Sequence, residues 1–284
     1  MNKELLEKIK KLQIKAKYLV TDKLSGNYES RFKGSGIEFS EVREYSSGDE
    51  VRAIDWNVTA RMGHPYIKEF IEERELTIII LLDLSASQRF GSGENTKIDT
   101  AMELAYIFSC LAIKSHDKVG LLLFTDKIEK YIPPKKGKDN IWKLITEITK
   151  FEPQNNKTNI SVALEYLNKV IKKKAVVFLI SDFISTDDYE GIMKKVAKRH
   201  DFTAIKIYDE KELDISNNGI ILFEDFETGE IIEFDSNNKK NNQLYTEFSN
   251  SEQDFLKLFF KKNKIRYRSI KNNSDYIKML VLNK

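Results

Sequence analysis

A single cysteine, Cys110, is all that this 284-residue chain carries. No intramolecular disulfide can form and no cysteine cage for a metal can be built, which together point to a reducing compartment, the cytoplasm. Histidine is almost as scarce. His64, His116 and His200 stand apart without metal-ligand spacing, no H-E-x-x-H occurs, and the three are expected to be ordinary surface or loop residues. Long apolar runs are missing too: the longest, Thr77 to Leu82, falls far short of the roughly 20 residues that a membrane-spanning helix needs. The N-terminus is a charged amphipathic stretch rather than a signal peptide. No transmembrane segment is expected, and any membrane association would be peripheral and run through partners. Charge of one sign is also lacking, since 47 Lys and Arg nearly balance 44 Asp and Glu to leave +3. The lysine runs at Lys172 to Lys174, Lys194 and Lys195, Lys239 and Lys240, and Lys261 and Lys262 lie apart, as solvated faces do. A nucleic-acid partner is therefore not expected. Nor is there a G-x-x-x-x-G-K-[ST] phosphate cradle, because the glycines of FGSGENTK (90–97) have the wrong spacing.

What the chain does have is enough apolar sequence, 41% hydrophobic against 32% charged, for one large domain with a smaller appendage. Residues 1–20 place Leu5, Leu6, Ile9, Leu12, Ala16 and Leu19 at helical spacing, an amphipathic surface helix. Residues 21–75 lose that periodicity, and Gly26, Gly34, Gly36, Gly48 and Gly63 mark turns in a small N-terminal β-containing subdomain. From 76 to 284, short apolar runs alternate with helical patterns. TIIILLD (77–83), VGLLLF (119–124), AVVFLIS (175–181) and DFTAIKIY (201–208) read as buried strands, and 97–115, 138–150, 160–173 and 189–200 read as helices. This alternation calls for an α/β fold, a doubly wound and mostly parallel sheet with helices on both faces, because parallel neighbours need crossover connections. IEKYI, ahead of Pro133 and Pro134, is extended. GIILFEDFETGEIIEF (219–234) carries a hairpin signal and is expected to extend one edge of the sheet. A helix near 252–262, a strand at 265–270 and a last helix near 275–282 close the chain. Cys110, inside an apolar helix face, is expected in the core rather than as a nucleophile.

The chemistry concentrates at the end of the first buried strand. DLSAS sets Asp83, Ser85 and Ser87 on alternate residues as the chain leaves the strand. One carboxylate and two hydroxyls can then turn toward a common point in the crevice beyond the strand's C-terminal end. Small neutral and anionic oxygens suit Mg²⁺, a hard octahedral cation that keeps several waters. Thr158, in KTNIS, precedes a helix, and Asp182, in LISDF, ends another buried strand; both fall where the same rim of the sheet is expected. The alternative is that Ser85 and Ser87 cap a turn and Asp182 caps a helix. A D-x-S-x-S run with a Thr on a second loop and an Asp on a third resembles the metal-ion-dependent adhesion site (MIDAS) of the von Willebrand factor A family. The resemblance implies that Ser85, Ser87 and Thr158 approach one divalent cation, Mg²⁺ or Mn²⁺, directly, with Asp83 and Asp182 in direct or water-mediated contact. It also implies that the incomplete shell accepts a Glu or Asp from a partner protein. One departure is that Gln88 and Arg89 follow where many such sites continue with Met or Gly, which sets a cationic side chain beside the expected ion.

Upstream, GSGIEFSEVREYSSGDEVRAIDWNVTAR (34–61) is similar to the signature of the bacterial DUF58 family in Gly34, Gly36, Glu38, Phe39, Arg43, Glu44, Tyr45, Gly48, Asp49, Arg52, Asp55, Trp56 and Arg61. The resemblance runs from about Gly26 to the end of the metal-site domain. It implies a von Willebrand A-like domain behind this segment. It further implies a non-enzymatic adaptor or chaperone-like assembly factor acting with a MoxR-type AAA+ ATPase or its client, since members are commonly encoded beside such ATPases. The residues themselves interleave acids and arginines around aromatic anchors, an ion-pair network involving Arg43, Arg52 and Arg61 that either fastens the small subdomain or contacts a partner. The rival function is a metal-dependent hydrolase using the same Asp/Ser/Thr cluster. Against it stands the lack of an obvious general base beside that cluster.

Overall fold

A computed structural model of the chain describes residues 38–71, 75–213, 215, 219–224 and 229–274. The helix read at 1–20, the last helix near 275–282 and the turn glycines Gly26, Gly34 and Gly36 lie outside the described residues. The chain divides into two compact units, Gly26–Leu76 and a larger one that takes in Thr77–Lys284.

In the smaller unit, β1 (Glu38–Glu44) leads to a short helix α1 (Trp56–Met62) and then to β2 (Tyr66–Ile71), which pairs antiparallel with β1. The helix starts where the Asp55 side chain accepts the N–H groups of Asn57 and Val58 and stops where Gly63 turns to φ 74°. The arginine network takes a simpler form than the interleaved sequence suggests. Arg43 forks onto Asp49 through two bonds of 2.8 Å, and this pairing holds the Asp49 carboxyl down at about 2. Arg52 and Arg61 are exposed.

The larger unit runs β3 (Thr77–Asp83), α2 (Lys97–Lys114), β4 (Lys118–Phe124), β5 (Ile128–Lys135), α3 (Lys138–Lys150), α4 (Ile160–Val170), β6 (Val176–Ser181), α5 (Glu190–Arg199), β7 (Asp201–Tyr208), β8 (Ile220–Glu224), β9 (Ile231–Asp235), α6 (Lys239–Lys262) and β10 (Arg266–Lys271). Its main sheet has the order β10-β7-β6-β3-β4-β5. Every neighbouring pair is parallel except β4 and β5. The apolar runs read as continuous because both faces are covered. Ile79 and Leu81 pack with α4, α5 and α6 through Leu164, Met193, Val196 and Phe260. The alternate residues Ile78, Ile80 and Leu82, equally buried, face the other way. On that side α2 contacts β3 and β4, and its Phe108 stacks on Phe178 of β6 with ring centroids 4.1 Å apart. A capping box between Thr96 and Asp99 starts α2.

Two departures from the sequence reading have clear causes. The hairpin forms, yet β8 and β9 make a sheet of their own instead of extending the main one, whose open edge beside β7 is taken by β10 in parallel register. Phe223 and Phe234 rest on Tyr245 of α6, each with ring centroids 6.0 Å from it, so the hairpin's apolar face is spent on a helix. The helix itself begins at Lys239, well ahead of the apolar pattern at 252–262. Asn238 caps it by accepting the N–H groups of Lys240 and Asn241, and its first half is polar. Cys110 is half-buried on α2, and burial raises its thiol pKa, away from the thiolate that a nucleophile needs. No described helix is long and apolar enough to cross a membrane.

His200 is a third departure, being 3% exposed rather than a surface residue. Its Nδ1 accepts the Ala175 N–H at 3.2 Å, which requires a neutral ring. Burial, and then the charge of Arg199, hold its pKa below the ordinary value. The folded chain thus binds this proton less readily than the unfolded chain, so the stabilisation is complete above about pH 6.5 and is lost as the pH falls. Urea unfolding at about pH 8 and pH 5.5 is expected to show that loss in the wild type and a flatter profile in His200→Asn. Equal slopes would assign the titration to another group.

Candidate metal site

The chain leaves β3 at Asp83, which is fully buried. Its Oδ1 accepts the Ser85 N–H at 2.9 Å, and this short turn brings the hydroxyls of Ser85 and Ser87 to 3.1 Å from each other. A 3₁₀ turn, Ala86–Arg89, follows. Its first N–H, from Ala86, is accepted by the Asn156 carbonyl at 2.9 Å, which ties the serine turn to the loop that holds Thr158. Thr158 is buried at 6% exposure. The third segment arrives from β6, where the Ser181 hydroxyl donates to Asp83 Oδ2 at 2.6 Å. Asp182 comes next, 1% exposed, and accepts the Ile184 N–H at 3.2 Å. Between them in the turn, Phe183 adopts φ 61°, a costly conformation for an aromatic residue, steadied by its N–H on Ser181 Oγ at 3.0 Å. Asp187 then accepts the N–H groups of Ile160 and Ser161 at 3.1 and 2.8 Å, and Ser185 Oγ donates to the Thr158 carbonyl at 3.1 Å. Of the residues singled out in the sequence, Asp83, Ser85 and Ser87 therefore share one turn, joined to the Asp182 segment through Ser181, while Thr158 sits on a loop tied to both.

The electrostatics of this rim are unusual. Asp83 has no ion-pair partner among the described residues. Burial, and then the nearby charge of Asp182, push its pKa up to about 7 against the hydrogen bonds from Ser181 and Ser85. Asp182 is held differently, by the ammonium of Lys97 at 2.8 Å. The Lys97 side chain has no exposure at all and also pairs with Glu212. Burial opposes its charge, yet the two carboxylates outweigh burial and keep its pKa above the ordinary value. Glu212 is pushed up by burial and pulled back by Lys97.

Sequence reasoning missed Lys97, Ser181 and Glu212. Lys97 did leave a sign: it is the first residue of α2, where the helix end disfavours a cation, so a lysine there calls for acidic company. Glu212 left none, being 115 residues away along the chain. Arg89, at the end of the 3₁₀ turn, is exposed, and the cation paired with a site carboxylate is Lys97.

The donor set can be tested against a hard divalent ion. Mg²⁺ binds oxygens at about 2.0–2.1 Å in an octahedron, which puts adjacent ligands roughly 3.0 Å apart, and the Ser85 and Ser87 oxygens are 3.1 Å apart. Asp83 and Asp182 bring two buried carboxyl groups to this rim, and Lys97 offsets only the second of them directly. Among the described residues no group of three or more His, Cys, Asp or Glu is placed to hold a metal, so an ion here would rest on hydroxyls and at most two carboxylates. That is oxygen chemistry, suited to Mg²⁺ or Mn²⁺ more than to a soft ion. The residues fit.

The sequence model of the family described as "Protein of unknown function DUF58" matches residues 41–254. Uncharacterized proteins of Mycobacterium tuberculosis (Rv1480) and Mycobacterium bovis (Mb1516) are each 27% identical over 228 residues, 80% of this chain and 72% of theirs. The crystal structure of the conserved hypothetical protein BatB from Bacteroides thetaiotaomicron covers 72% of this chain and 95% of its own, at 16% identity and a TM-score of 0.50. At that identity the likeness is one of fold, and the fold is the von Willebrand A-like α/β architecture.

Replacing Lys97 by Met takes from Asp182 and Glu212 the ammonium that both are paired with, and leaves the buried Asp182 carboxylate without an ion-pair partner among the described residues. Urea unfolding in EDTA is expected to show a loss of about 3–5 kcal/mol for Lys97→Met, as for other broken buried pairs. A loss under about 1 kcal/mol would mean that solvent reaches the three groups freely.

Proposed function

The chain belongs to the DUF58 family, and from that premise we propose that it is a protein-binding module of von Willebrand A type that uses one divalent cation, Mg²⁺ or Mn²⁺, to hold an acidic side chain of a partner protein. The observation that carries this reading is the Ser85–Ser87 oxygen pair at 3.1 Å beside a buried Asp83 with no counter-ion among the described residues. Ser85, Ser87 and Thr158 would hold the ion, and Asp83 and Asp182 would do so directly or through water. Bound there, the cation supplies a point of positive charge with open coordination positions. Lys97 matters to that charge. By drawing on Asp182 from behind, it leaves the ion less neutralised by the protein and so more attractive to an incoming carboxylate.

The groups that hydrogen-bond to Asp83 and Asp182 are hydroxyls, backbone N–H groups and the Lys97 ammonium, and the neighbouring Glu212 carboxylate is itself engaged by Lys97, so these groups hold and orient rather than take a proton. That favours binding over metal-dependent hydrolysis. The partner we propose is a MoxR-type AAA+ ATPase or its client, as the family resemblance implies. We place the site in a domain spanning about 76–284, with 21–75 as the family's signature subdomain and the lone Cys110 pointing to action in the cytoplasm.

Saturating Mg²⁺ or Mn²⁺ is expected to raise the melting temperature by about 5 °C. Asp83→Asn, whose amide oxygen can still accept the Ser85 N–H while the charge is removed, is expected to abolish that rise. An unchanged metal response in Asp83→Asn sinks the site assignment, and metal-dependent turnover of phosphoesters or peptides by the wild type would put the hydrolase in its place. Pull-down with and without EDTA then checks the partner: an AAA+ ATPase retained only by the metal-loaded wild type is the expected result.

A further inference from the structure

A cavity of about 580 Å³ opens beside the metal site, and Ser87 and Asp182 belong to its wall. Any group held at the cation therefore stands at the cavity's mouth. The rest of the wall is strongly aromatic: Phe90 follows the serine turn, Phe223 comes from the hairpin, and Tyr245 and Phe248 come from α6. Ile184 and Phe248, at 53% and 65% exposure, are large apolar side chains left open to solvent. Lys206, on β7, also lines the cavity; it is partly withdrawn from water, and its ammonium makes no hydrogen bond or ion pair among the described residues. Lys206 thus has hydrogen-bond donors to offer an incoming oxygen, in a wall whose carboxylates Asp182, Glu212 and Glu252 act on its charge.

We propose that this cavity receives the residue next to the partner's acidic one, so that the module recognises a segment in which an Asp or Glu is followed directly by an aromatic side chain. The proposal rests on the metal reading above and adds to it the identity of the neighbouring group. Consecutive residues lie 3.8 Å apart at their Cα atoms, so a carboxylate anchored at the cation carries its neighbour over the cavity without a linker. An aromatic side chain has 150–250 Å² to bury and packs well against offset or edge-on rings, and the cavity's size falls in the range of pockets that enclose a side chain and its flanking backbone. Lys206 donates to a carbonyl or carboxylate oxygen of the same segment. Beyond Asp182 at the metal site, the wall's acids Glu212, Glu224 and Glu252 outnumber its lysines, Lys206 and Lys211, and so disfavour a purely acidic tail relative to a single acid with an uncharged neighbour.

Two capped tetrapeptides, Gly-Asp-Trp-Gly and Gly-Asp-Ala-Gly, serve as probes of the full chain by calorimetry in MgCl₂ and in EDTA. The Trp peptide is expected to bind about ten-fold more tightly than the Ala peptide in MgCl₂. Ser249→Trp, which fills the cavity from α6, is expected to keep the Mg²⁺ thermal shift and to erase the preference; Lys206→Gln is expected to weaken both peptides alike. Equal affinities, a preference that survives Ser249→Trp, or no binding up to about 5 mM overturns the proposal. A normal Mg²⁺ shift without aromatic preference leaves the metal reading standing and removes the pocket. A preference retained in EDTA by a chain without a Mg²⁺ shift does the reverse. Self-association relieved by Ser249→Trp would assign the cavity to a second copy of the chain and overturn the peptide assignment.

Discussion

A lysine ammonium cut off from water joins segments that are remote in the sequence. Lys97 opens α2, Asp182 follows β6 and Glu212 follows β7, and the three meet in one ion-paired group. Such a charge is tolerated inside a protein only when its partners stay in place, so the positions of all three segments depend on one another. Neighbouring hydrogen bonds extend the linkage. Asp209 accepts the Ser92 N–H at 3.0 Å, Thr100 donates to Asn272 at 2.7 Å, and Asn272 donates to the Asn95 carbonyl at 2.7 Å. The start of α2 is thereby fastened to the ends of β7 and β10. The Asp182 carboxylate, one of the proposed metal-site residues, is one corner of this framework, which sets both its place and its available charge.

What could be read from the chain followed from how far each signal reaches. The strands β3, β4, β6 and β7 are covered on both faces and hence appear as unbroken apolar runs, and the helices between them show the period of a half-buried cylinder. Asp83, Ser85 and Ser87 were legible because a single turn holds them, and Asp182 because it ends a strand of the same kind. The hairpin's pairing is a local matter of turn residues, but where it docks is settled by Phe223 and Phe234 against Tyr245, which no local pattern announces. The early start of α6 escaped for a similar reason, since a polar helix half with a good cap has no apolar stripe.

Lys97 and Glu212 show the deeper limit. Each is an ordinary charged residue in an ordinary charged stretch, and only their meeting 115 residues apart gives them meaning. Family resemblance did not supply them either, because it carried across the oxygens that face an ion and not the charges behind those oxygens. The same holds for Ser181, whose hydroxyl stands between Asp83 and the turn of Phe183 and joins two carboxylate-bearing segments.

The outermost strand of the main sheet, β5, carries Pro133 and Pro134 and pairs with β4 across a register shift at Gly120, where a Cβ would stand 2.9 Å from the Ile132 carbonyl oxygen. Two consecutive residues without N–H groups break the row of donors that a foreign strand would need in order to add itself to this border. The sheet is thus finished on that side, and zipping backbone to backbone with another chain is discouraged there. Recognition at this border is left to side chains and loops, which can discriminate among partners in a way that a repeating ladder of peptide groups cannot.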